Sequence, residues 1–260
     1  MTKFTKNWIY RHTLNARICH WVMVVSFMYL LYSGIMIFLH FPELYWGKVG
    51  FQGYPAIFKL EDWGISWEEA ERLGDRRWGR NYHYMFAWIF VINGFIYLVW
   101  NCWQKKFYLK MLPSREELTV SNLKNEFVRH LRFRRLKTNG VVGYNVLQKL
   151  SYLFVLFVLF PFMLVSGFAQ MPAFTAISPE LIDFFGGRQT ARTLHVICSV
   201  LLVLFVLVHL IEMILAGAFN QIRSMVLGKY EINPENTKHE DLSLDYYTHG
   251  TSPIRRYVDI

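Results

Sequence analysis

The sequence has few charged residues and few cysteines for its length. Charged side chains make up 18% of its 260 residues, whereas 53% of the residues are hydrophobic and 18% are aromatic. This composition is too apolar for an ordinary soluble domain. The three cysteines, Cys19, Cys102 and Cys198, have no paired spacing of the kind that binds zinc, an iron-sulfur cluster or a covalently attached cofactor, so we expect buried free thiols.

The sequence also lacks the motifs that carry out chemistry on a substrate. It contains no residue pattern typical of an activated nucleophile, no glycine-rich nucleotide-binding loop and no cysteine cluster motif. No low-complexity segment or long Gly/Ser linker divides the chain, which favours one membrane domain with appended segments. These absences argue against most enzyme classes and leave electron transfer as the preferred activity.

Long hydrophobic runs are abundant instead. Four of them, at about 18–39, 82–103, 149–170 and 193–217, are long enough to cross roughly 30 Å of hydrocarbon as helices. The runs are continuous rather than alternating, which argues against a spanning strand barrel. No small-residue cleavage site follows the first run, so we expect it to remain as a signal anchor. We predict an all-α membrane protein, a four-transmembrane-helix bundle over residues 18–217, with an arm (1–17) and a tail (218–260).

The net charge of +9 is distributed unevenly along the chain. Four basic residues precede the first run, and residues 104–149 contain eleven basic residues against three acidic ones, whereas residues 40–81 contain six basic and seven acidic ones. Basic segments mark the cytoplasmic side of a membrane. We therefore predict cytoplasmic termini and a cytoplasmic connection 104–148 in a bacterial inner membrane, with outer connections 40–81 and 171–192. The basic run 129–135 then reflects topology and anionic lipid, and we expect no nucleic-acid partner.

Histidine placement is the most informative feature of the sequence. Five of the nine histidines fall in connections, in tails or at a span edge: His12, His40, His130, His239 and His249. The other four lie within or at the ends of the predicted spans: His20, His83, His195 and His209. An ionisable side chain in a bilayer is costly and usually has a function. Each of the four is therefore a candidate metal ligand or proton relay, with an interhelical hydrogen bond as the structural alternative.

The spacing of these histidines favours two metal centres. His195 and His209 are fourteen residues apart, which puts them on one face of a helix, about 21 Å from each other along its axis. His83 lies at the outer level with His195, and His20 lies at the cytoplasmic level with His209. Two histidines per level are too few for zinc, which usually has four ligands. They suffice as axial ligands of haem iron, so we predict two haem b groups, each with two histidine ligands.

An arginine precedes three of these histidines by three residues. The arginines are Arg17, Arg80 and Arg192. A guanidinium one turn nearer the membrane surface is well placed to pair with the propionates of haem. A simple snorkelling arginine at the interface is an equally good interpretation of each one alone.

A weak internal repeat relates the two halves of the chain. The first and third spans both end in Ser-Gly, at Ser33–Gly34 and Ser166–Gly167, where the missing side chain lets another helix or a flat ring approach closely. The second and fourth spans both open with Arg-x-x-His. The repeat suggests two helical hairpins that face each other about a pseudo-twofold axis.

With these features, the chain resembles the two-haem cytochrome b subunits of formate dehydrogenase-N, nickel-iron hydrogenase and thiosulfate reductase. The resemblance covers roughly residues 8–228, and the fourteen-residue histidine spacing is its most specific element. Residues 185–195 and the later Arg223-Ser224-Met225 are similar to the branch that accompanies periplasmic molybdenum enzymes. In that family the first and second spans each share a haem with the fourth, which implies the same ligand pairs.

The resemblance also implies a quinone or menaquinone site beside the cytoplasmic haem. Residues 144–149, Tyr-Asn-Val-Leu-Gln-Lys, are similar to the Tyr-Asn-x-x-Gln-Lys pattern of the formate enzyme, where the asparagine lies at the quinone site. Asn145 and Gln148 are the corresponding candidates here. Leu147 stands where that enzyme has glycine, so the backbone contact made there does not carry over. From the residues alone, Asn145 is interpreted as a helix N-cap, a role that is compatible with quinone binding.

The combined features predict a membrane-anchoring cytochrome b subunit that transfers electrons between a periplasmic oxidoreductase and the quinone pool. The outer connection 40–81 is rich in tryptophan and tyrosine, which favours docking of a partner over a plain aromatic belt. The partner would be a molybdenum oxidoreductase, an iron-sulfur protein or a cytochrome c. Two alternatives are a stand-alone quinol-oxidising cytochrome b and, less favoured, a haem-free transporter or scaffold.

We expect two haem b groups per chain because the candidate ligands fall at two levels. Pyridine haemochrome analysis of the purified protein should give two haems per polypeptide. His209→Ala should lose one of them, since no other histidine within the spans lies at its depth. One haem or none in the unaltered protein, or two in the variant, would contradict the pairing.

Overall fold

The computed structural model describes residues 7–103, 111–131 and 145–232. Four of its helices are long and apolar enough to cross a membrane: α1 (Leu14–His40), α3 (Arg76–Trp103), α5 (Val146–Phe168) and α8 (Arg188–Leu215). The predicted helical membrane protein with four spans is therefore confirmed. The helices α1, α3 and α8 begin before the apolar runs predicted from sequence. The prediction began later because it followed apolar residues, and the first turns of these helices carry polar and basic side chains.

Shorter elements connect or follow the spans. The helices are α2 (Trp67–Leu73), α4 (Val120–Leu131), α6 (Pro172–Ile177), α7 (Glu180–Phe184) and α9 (Ala218–Leu227). The strands are β1 (Asn7–Tyr10), β2 (Glu43–Leu44), β3 (Phe58–Lys59) and β4 (Lys229–Ile232), and a 3₁₀ turn covers Leu60–Trp63. β1 pairs antiparallel with β4, and β2 with β3. The sequence did not predict these strands, since none is long enough to show alternation.

Two compact units divide the described chain. The first unit comprises Met1–Trp21, Phe95–Tyr152 and Leu207–Ile260, and the second comprises Val22–Gly94 and Leu153–Val206. Each unit contains residues that contact one another, although they come from separate parts of the chain. The predicted division into arm, membrane domain and tail at residues 17 and 217 stays a prediction.

Within the second unit, α5 packs against α8. Val155, Leu159, Cys198 and Leu202 form a buried apolar cluster between them. The buried thiol of Cys198 confirms the expectation for that residue, whereas the thiols of Cys19 and Cys102 are only partly buried. Most apolar side chains of the spans point outward, which is the pattern that lipid as solvent requires.

The first turns of α8 hold the connection 40–81 that follows α1; it keeps the name outer connection, and its outer location stays a prediction. The backbone N–H groups of Gln189 and Thr190 donate to the carbonyl oxygen of Gly47 at 3.1 and 3.3 Å, and the Thr193 hydroxyl donates to the carbonyl of Tyr45 at 2.7 Å. Helix N-termini have backbone donors without partners in the helix, and here two of them bind this connection. Tyr45 is completely buried, and burial together with its hydrogen bond to Glu43 raises the pKa of its phenol.

Gly187 makes this close approach feasible. Its φ of +139° is unfavourable for a side chain, and a Cβ there would lie 2.3 Å from the carbonyl carbon and oxygen of Gly47. Gly186 has φ of +72°, but a Cβ there would meet nothing within 4 Å. An alanine at Gly186 would therefore cause backbone strain alone, whereas an alanine at Gly187 would cause backbone strain and a steric clash.

We predict that Gly187→Ala destabilises the outer connection more than Gly186→Ala does. Gly186→Ala carries only left-handed backbone strain, about 1 kcal/mol, while Gly187→Ala also displaces residues 41–47. Thermal unfolding in detergent and limited proteolysis of residues 41–75 should both rank the variants in that order. Equal stability of the two variants would contradict the close packing of Gly187 against Gly47.

Candidate functional site

His83 of α3 and His195 of α8 face each other in the second unit. Their ring centroids are 6.2 Å apart, with an angle of 63° between the ring planes. A metal–imidazole bond is roughly 2 Å long and a ring nitrogen lies roughly 1.2 Å from its ring centroid, so two axial imidazoles on one metal have centroids roughly 6.4 Å apart. The structure thus brings this predicted pair together at a separation that fits a shared iron, and the shared iron itself stays a prediction.

A serine hydrogen-bonds each of these rings. Ser33 Oγ lies 3.0 Å from His83 Nδ1, and its hydroxyl donates to the carbonyl of Tyr29 at 2.6 Å. Because the hydroxyl proton is used there, the serine oxygen can accept the Nδ1–H of the imidazole. That bond selects the tautomer in which Nε2 carries the lone pair, as a metal ligand requires.

The second half of the chain repeats this arrangement. Ser166 Oγ lies 3.0 Å from His195 Nδ1 and donates to the carbonyl of Met163 at 3.1 Å. The glycine that follows each serine also faces the ring: a Cβ at Gly34 would lie 3.6 Å from Cε1 of His83, and one at Gly167 would lie 3.4 Å from Cε1 of His195. The sequence repeat of Ser-Gly pairs thus corresponds to a repeated histidine environment.

The other predicted pair, His20 and His209, belongs to the first unit. The His20 ring makes an edge contact with Trp21 at 5.6 Å between centroids. Arg17 lies one turn before His20, and its Nη2 donates to the carbonyl of Val226. Its Nε is buried and has no hydrogen-bond partner among the described residues. This orphaned donor fits an anionic group such as a propionate.

The other two predicted propionate residues differ from Arg17. Arg192 donates to the carbonyl oxygens of Phe41 and Glu43, and its guanidinium stacks on the Phe41 ring at 4.9 Å. These contacts make Arg192 an anchor of the outer connection. Arg80 is exposed, and together with Arg72 and Arg76 it lines an open surface depression. A propionate contact stays a prediction for all three arginines, and the free donor of Arg17 supports it best.

No cluster of three or more His, Cys, Asp or Glu side chains suitable for a metal ion occurs within residues 7–103, 111–131 and 145–232. A bare zinc or iron ion would need such a cluster. Haem brings four nitrogen ligands of its own, so a pair of histidines completes its coordination. The residues present therefore fit haem better than a free metal ion.

Asn145 precedes α5 and caps it. Its Oδ1 accepts the backbone N–H of Gln148 at 2.9 Å, and the Gln148 side-chain oxygen accepts the backbone N–H of Asn145 at 3.2 Å, which is a reciprocal capping box. The N-cap interpretation is therefore confirmed. The Asn145 side-chain nitrogen makes no hydrogen bond to any residue that the structure describes, so it can donate to a ligand. Tyr144, the other end of the motif, lies outside the described residues.

Two further polar contacts surround this cap in the first unit. Gln148 Nε2 donates to Glu212 of α8 at 3.0 Å. Lys149 Nζ donates to both carboxylate oxygens of Glu117, at 2.9 and 3.0 Å. Partial burial opposes ionisation of Glu117, but hydrogen bonds from the Ser114 backbone and from Lys149 outweigh it and lower the pKa of this carboxyl. Lys149 is thus paired with Glu117.

Sequence reasoning missed three residues of these sites. Ser33 and Ser166 were noted only as neighbours of glycines that allow close approach, and their hydrogen bonds to histidine require the folded positions of four helices. Glu212 was not considered. The sequence could have indicated Glu212, because it is the single acidic residue within the four spans.

The outer connection exposes part of its aromatic content. Trp46 and Trp63 are 50% and 76% exposed. Trp67 packs against Phe41, and Trp78 packs against Tyr32, so these two are structural. The exposed pair retains the capacity to contact a partner or the membrane surface.

Comparison with known proteins gives matches over most of the chain. The family model described as prokaryotic cytochrome b561 matches residues 11–228. The putative protein-methionine-sulfoxide reductase subunit YedZ1 of Azospira oryzae is 28% identical over 193 residues, which are 74% of this chain and 84% of that protein. Both matches agree with the resemblance to membrane cytochrome b proteins.

A second similarity is confined to the C-terminal end. The RNB domain model matches residues 208–260. Ribonuclease R of Chlamydia pneumoniae is 50% identical over 52 residues, and ribonuclease R of Chlamydia muridarum is 54% identical over 52 residues. In each case the match covers 20% of this chain and 7% of the relative. Residues 233–260 of this segment lie outside the described residues.

We predict that Ser33→Ala and Ser166→Ala each weaken haem binding roughly 10- to 100-fold, the usual cost of removing a partner that orients a metal-bound imidazole. Haem retention against a soluble haem scavenger measures the effect. Ser26→Ala is the matched control, since Ser26 is a buried serine of the same helix as Ser33. Equal retention in Ser33→Ala and Ser26→Ala would show that the serine bond does not orient His83.

Proposed function

Because the chain belongs to the prokaryotic cytochrome b561 family, we propose that it is the two-haem membrane subunit that transfers electrons between a periplasmic oxidoreductase and the quinone pool. Members of this family are integral membrane proteins that bind haem b. The observation that carries the proposal is the facing pair His83 and His195, with the centroid separation that a shared iron requires.

The outer haem is held by His83 and His195. Ser33 and Ser166 orient the two imidazoles, and Gly34 and Gly167 leave room beside them. When bound, haem supplies reversible one-electron transfer. The protein contributes the ligands, the tautomer of each ligand and an apolar surrounding that excludes water.

The second haem is held by His20 and His209. Arg17 supports this assignment through its buried Nε donor, which suits a propionate oxygen. Both proposed haem sites take one ligand from α8, because His195 and His209 lie on the same helix.

The quinone binds beside Asn145 and Gln148. The side-chain oxygen of Asn145 is occupied as a cap, while its side-chain nitrogen remains available as a donor to a quinone carbonyl. The cap and the quinone contact therefore use different atoms of one residue.

The partner on the outer side is a periplasmic redox subunit. The similarity to a subunit of a putative protein-methionine-sulfoxide reductase supports a partner of the oxidoreductase class, and a molybdenum enzyme is our preferred type. The connection 40–81 offers Trp46 and Trp63 as exposed contact residues. The same proposal places the chain in a bacterial inner membrane, with both termini in the cytoplasm.

Two other functions receive less support. A stand-alone quinol-oxidising cytochrome b would have the same ligands, but the family relative is named as a subunit. The ribonuclease similarity spans only 7% of those relatives, so we do not extend their activity to this chain. The absence of a nucleic-acid partner stays a prediction.

Asn145→Ala tests the proposed function at the quinone. The variant should slow reduction of haem by the soluble naphthoquinol menadiol at least tenfold, because it removes a donor to the quinone oxygen. Loss of the cap costs about 1 kcal/mol of stability, too little to remove the haem. Stopped-flow absorption and haem spectra are measured on one preparation.

Asn101→Ala is the matched control for Asn145→Ala. Asn101 is an asparagine of α3 whose side chain donates to its own helix, at the carbonyl of Tyr97. It should keep the unaltered rate of reduction by menadiol. An unchanged rate in Asn145→Ala, or loss of haem from it, would refute the quinone assignment.

A further inference from the structure

Glu212 stands out among the spanning helices. Across α1, α3, α5 and α8 it is the single aspartate or glutamate, and it lies in the last turn of α8. An ionisable side chain within a span is unfavourable in lipid and is retained where it has a function. Its position one turn beyond His209 puts it on the same face of α8 as that ligand.

Glu212 also contacts the residues to which the proposed function assigns the quinone. Its Oε2 accepts a hydrogen bond from Gln148 Nε2 at 3.0 Å, and Gln148 is locked to Asn145 by the reciprocal cap. The carboxylate, the amide of Gln148 and the amide of Asn145 therefore form one chain of polar groups. All three side chains are half-buried rather than sealed from solvent.

Reduction of a quinone needs protons as well as electrons. One quinone takes up two electrons and two protons to become a quinol, and each carbonyl oxygen gains one O–H bond. Amides such as those of Asn145 and Gln148 can donate a hydrogen bond but cannot deliver a proton. A carboxyl group can do so, and proton transfer by a placed carboxyl commonly accelerates a reaction 10²–10⁴-fold.

We propose that Glu212 is the group that exchanges protons with bound quinone, an inference that rests on the proposed quinone site. In the direction of quinone reduction, haem would supply the two electrons, the O–H bond of the Glu212 carboxyl breaks, and an O–H bond forms on the nearer quinone oxygen. The carboxylate then takes up a proton from solvent, and the other quinone oxygen receives its proton from water. In the reverse direction the carboxylate accepts the proton of the nearer quinol oxygen, and haem would accept the electrons.

A purely structural role for Glu212 makes a different prediction. If the residue served only to hold Gln148, any acceptor in the same place would suffice. Glu212→Gln keeps a side-chain oxygen that can accept from Gln148 Nε2 but removes the transferable proton. Glu212→Asp keeps the acid on a shorter side chain. Glu116→Gln removes an exposed carboxylate of the same unit and is the matched control.

The test is the rate of haem reduction by menadiol in the full-length, haem-loaded protein, in H₂O and in D₂O. Here kcat is the rate constant of haem reduction at saturating menadiol, and KM is the menadiol concentration that gives half of that rate. Glu212→Gln should lower kcat at least tenfold with less than a twofold change in KM, while Glu212→Asp recovers part of the loss. The unaltered protein should show a solvent isotope effect above twofold, and Glu116→Gln should match it. A Glu212→Gln variant with the unaltered kcat, or one that changes only KM, overturns the proposal.

The same experiment separates this proposal from the quinone site itself. If Asn145→Ala and Glu212→Gln both keep the unaltered rate, the quinone site lies elsewhere and the proposed function fails at that point. If Asn145→Ala slows the reaction and Glu212→Gln does not, the site stands and the proton comes from another group.

Discussion

A polar ring inside a lipid-solvated helix needs a partner within the protein, and much of this structure follows from that constraint. His83 and His195 meet it through Ser33 and Ser166, whose hydroxyls bond the Nδ1 atoms while donating to their own helix backbones. Each bond leaves the lone pair of Nε2 available to bind a metal. Since both serines sit beside glycines, the rings approach α1 and α5 closely without displacing a side chain.

The helix α8 carries residues of several of the sites described above. Its first turns bind the outer connection through Gln189, Thr190 and Arg192, its middle carries His195 and His209, and its last turn carries Glu212. A single helix can keep the proposed ligands and the proposed proton-exchange residue in register with the residues that bind the connection 40–81, because each residue advances about 1.5 Å along the axis. Changes in α8 are therefore expected to affect several functions at once.

The two family matches have different weight. The cytochrome b561 match extends over residues 11–228 and includes all four candidate histidines. The ribonuclease match begins at residue 208, so it overlaps the end of α8, and it continues into residues that the structure does not describe. The described part of this overlap, α9 and β4, packs with β1 near the start of the chain and thus belongs to the first unit. The fold and the candidate sites accordingly follow the longer match.

The sequence alone predicted the membrane class and the four spans, because the length of an apolar run is a local property of a helix, and its resemblance to the cytochrome b family indicated the family. It also predicted the Asn145 cap, since capping uses residues only three positions apart. The serine–histidine bonds, the anchoring role of Arg192 and the Gln148–Glu212 contact were decided only by the tertiary structure. Each of these joins residues between 29 and 151 positions apart, so no periodicity within one segment encodes them. Only the packed helices bring such groups within hydrogen-bonding distance.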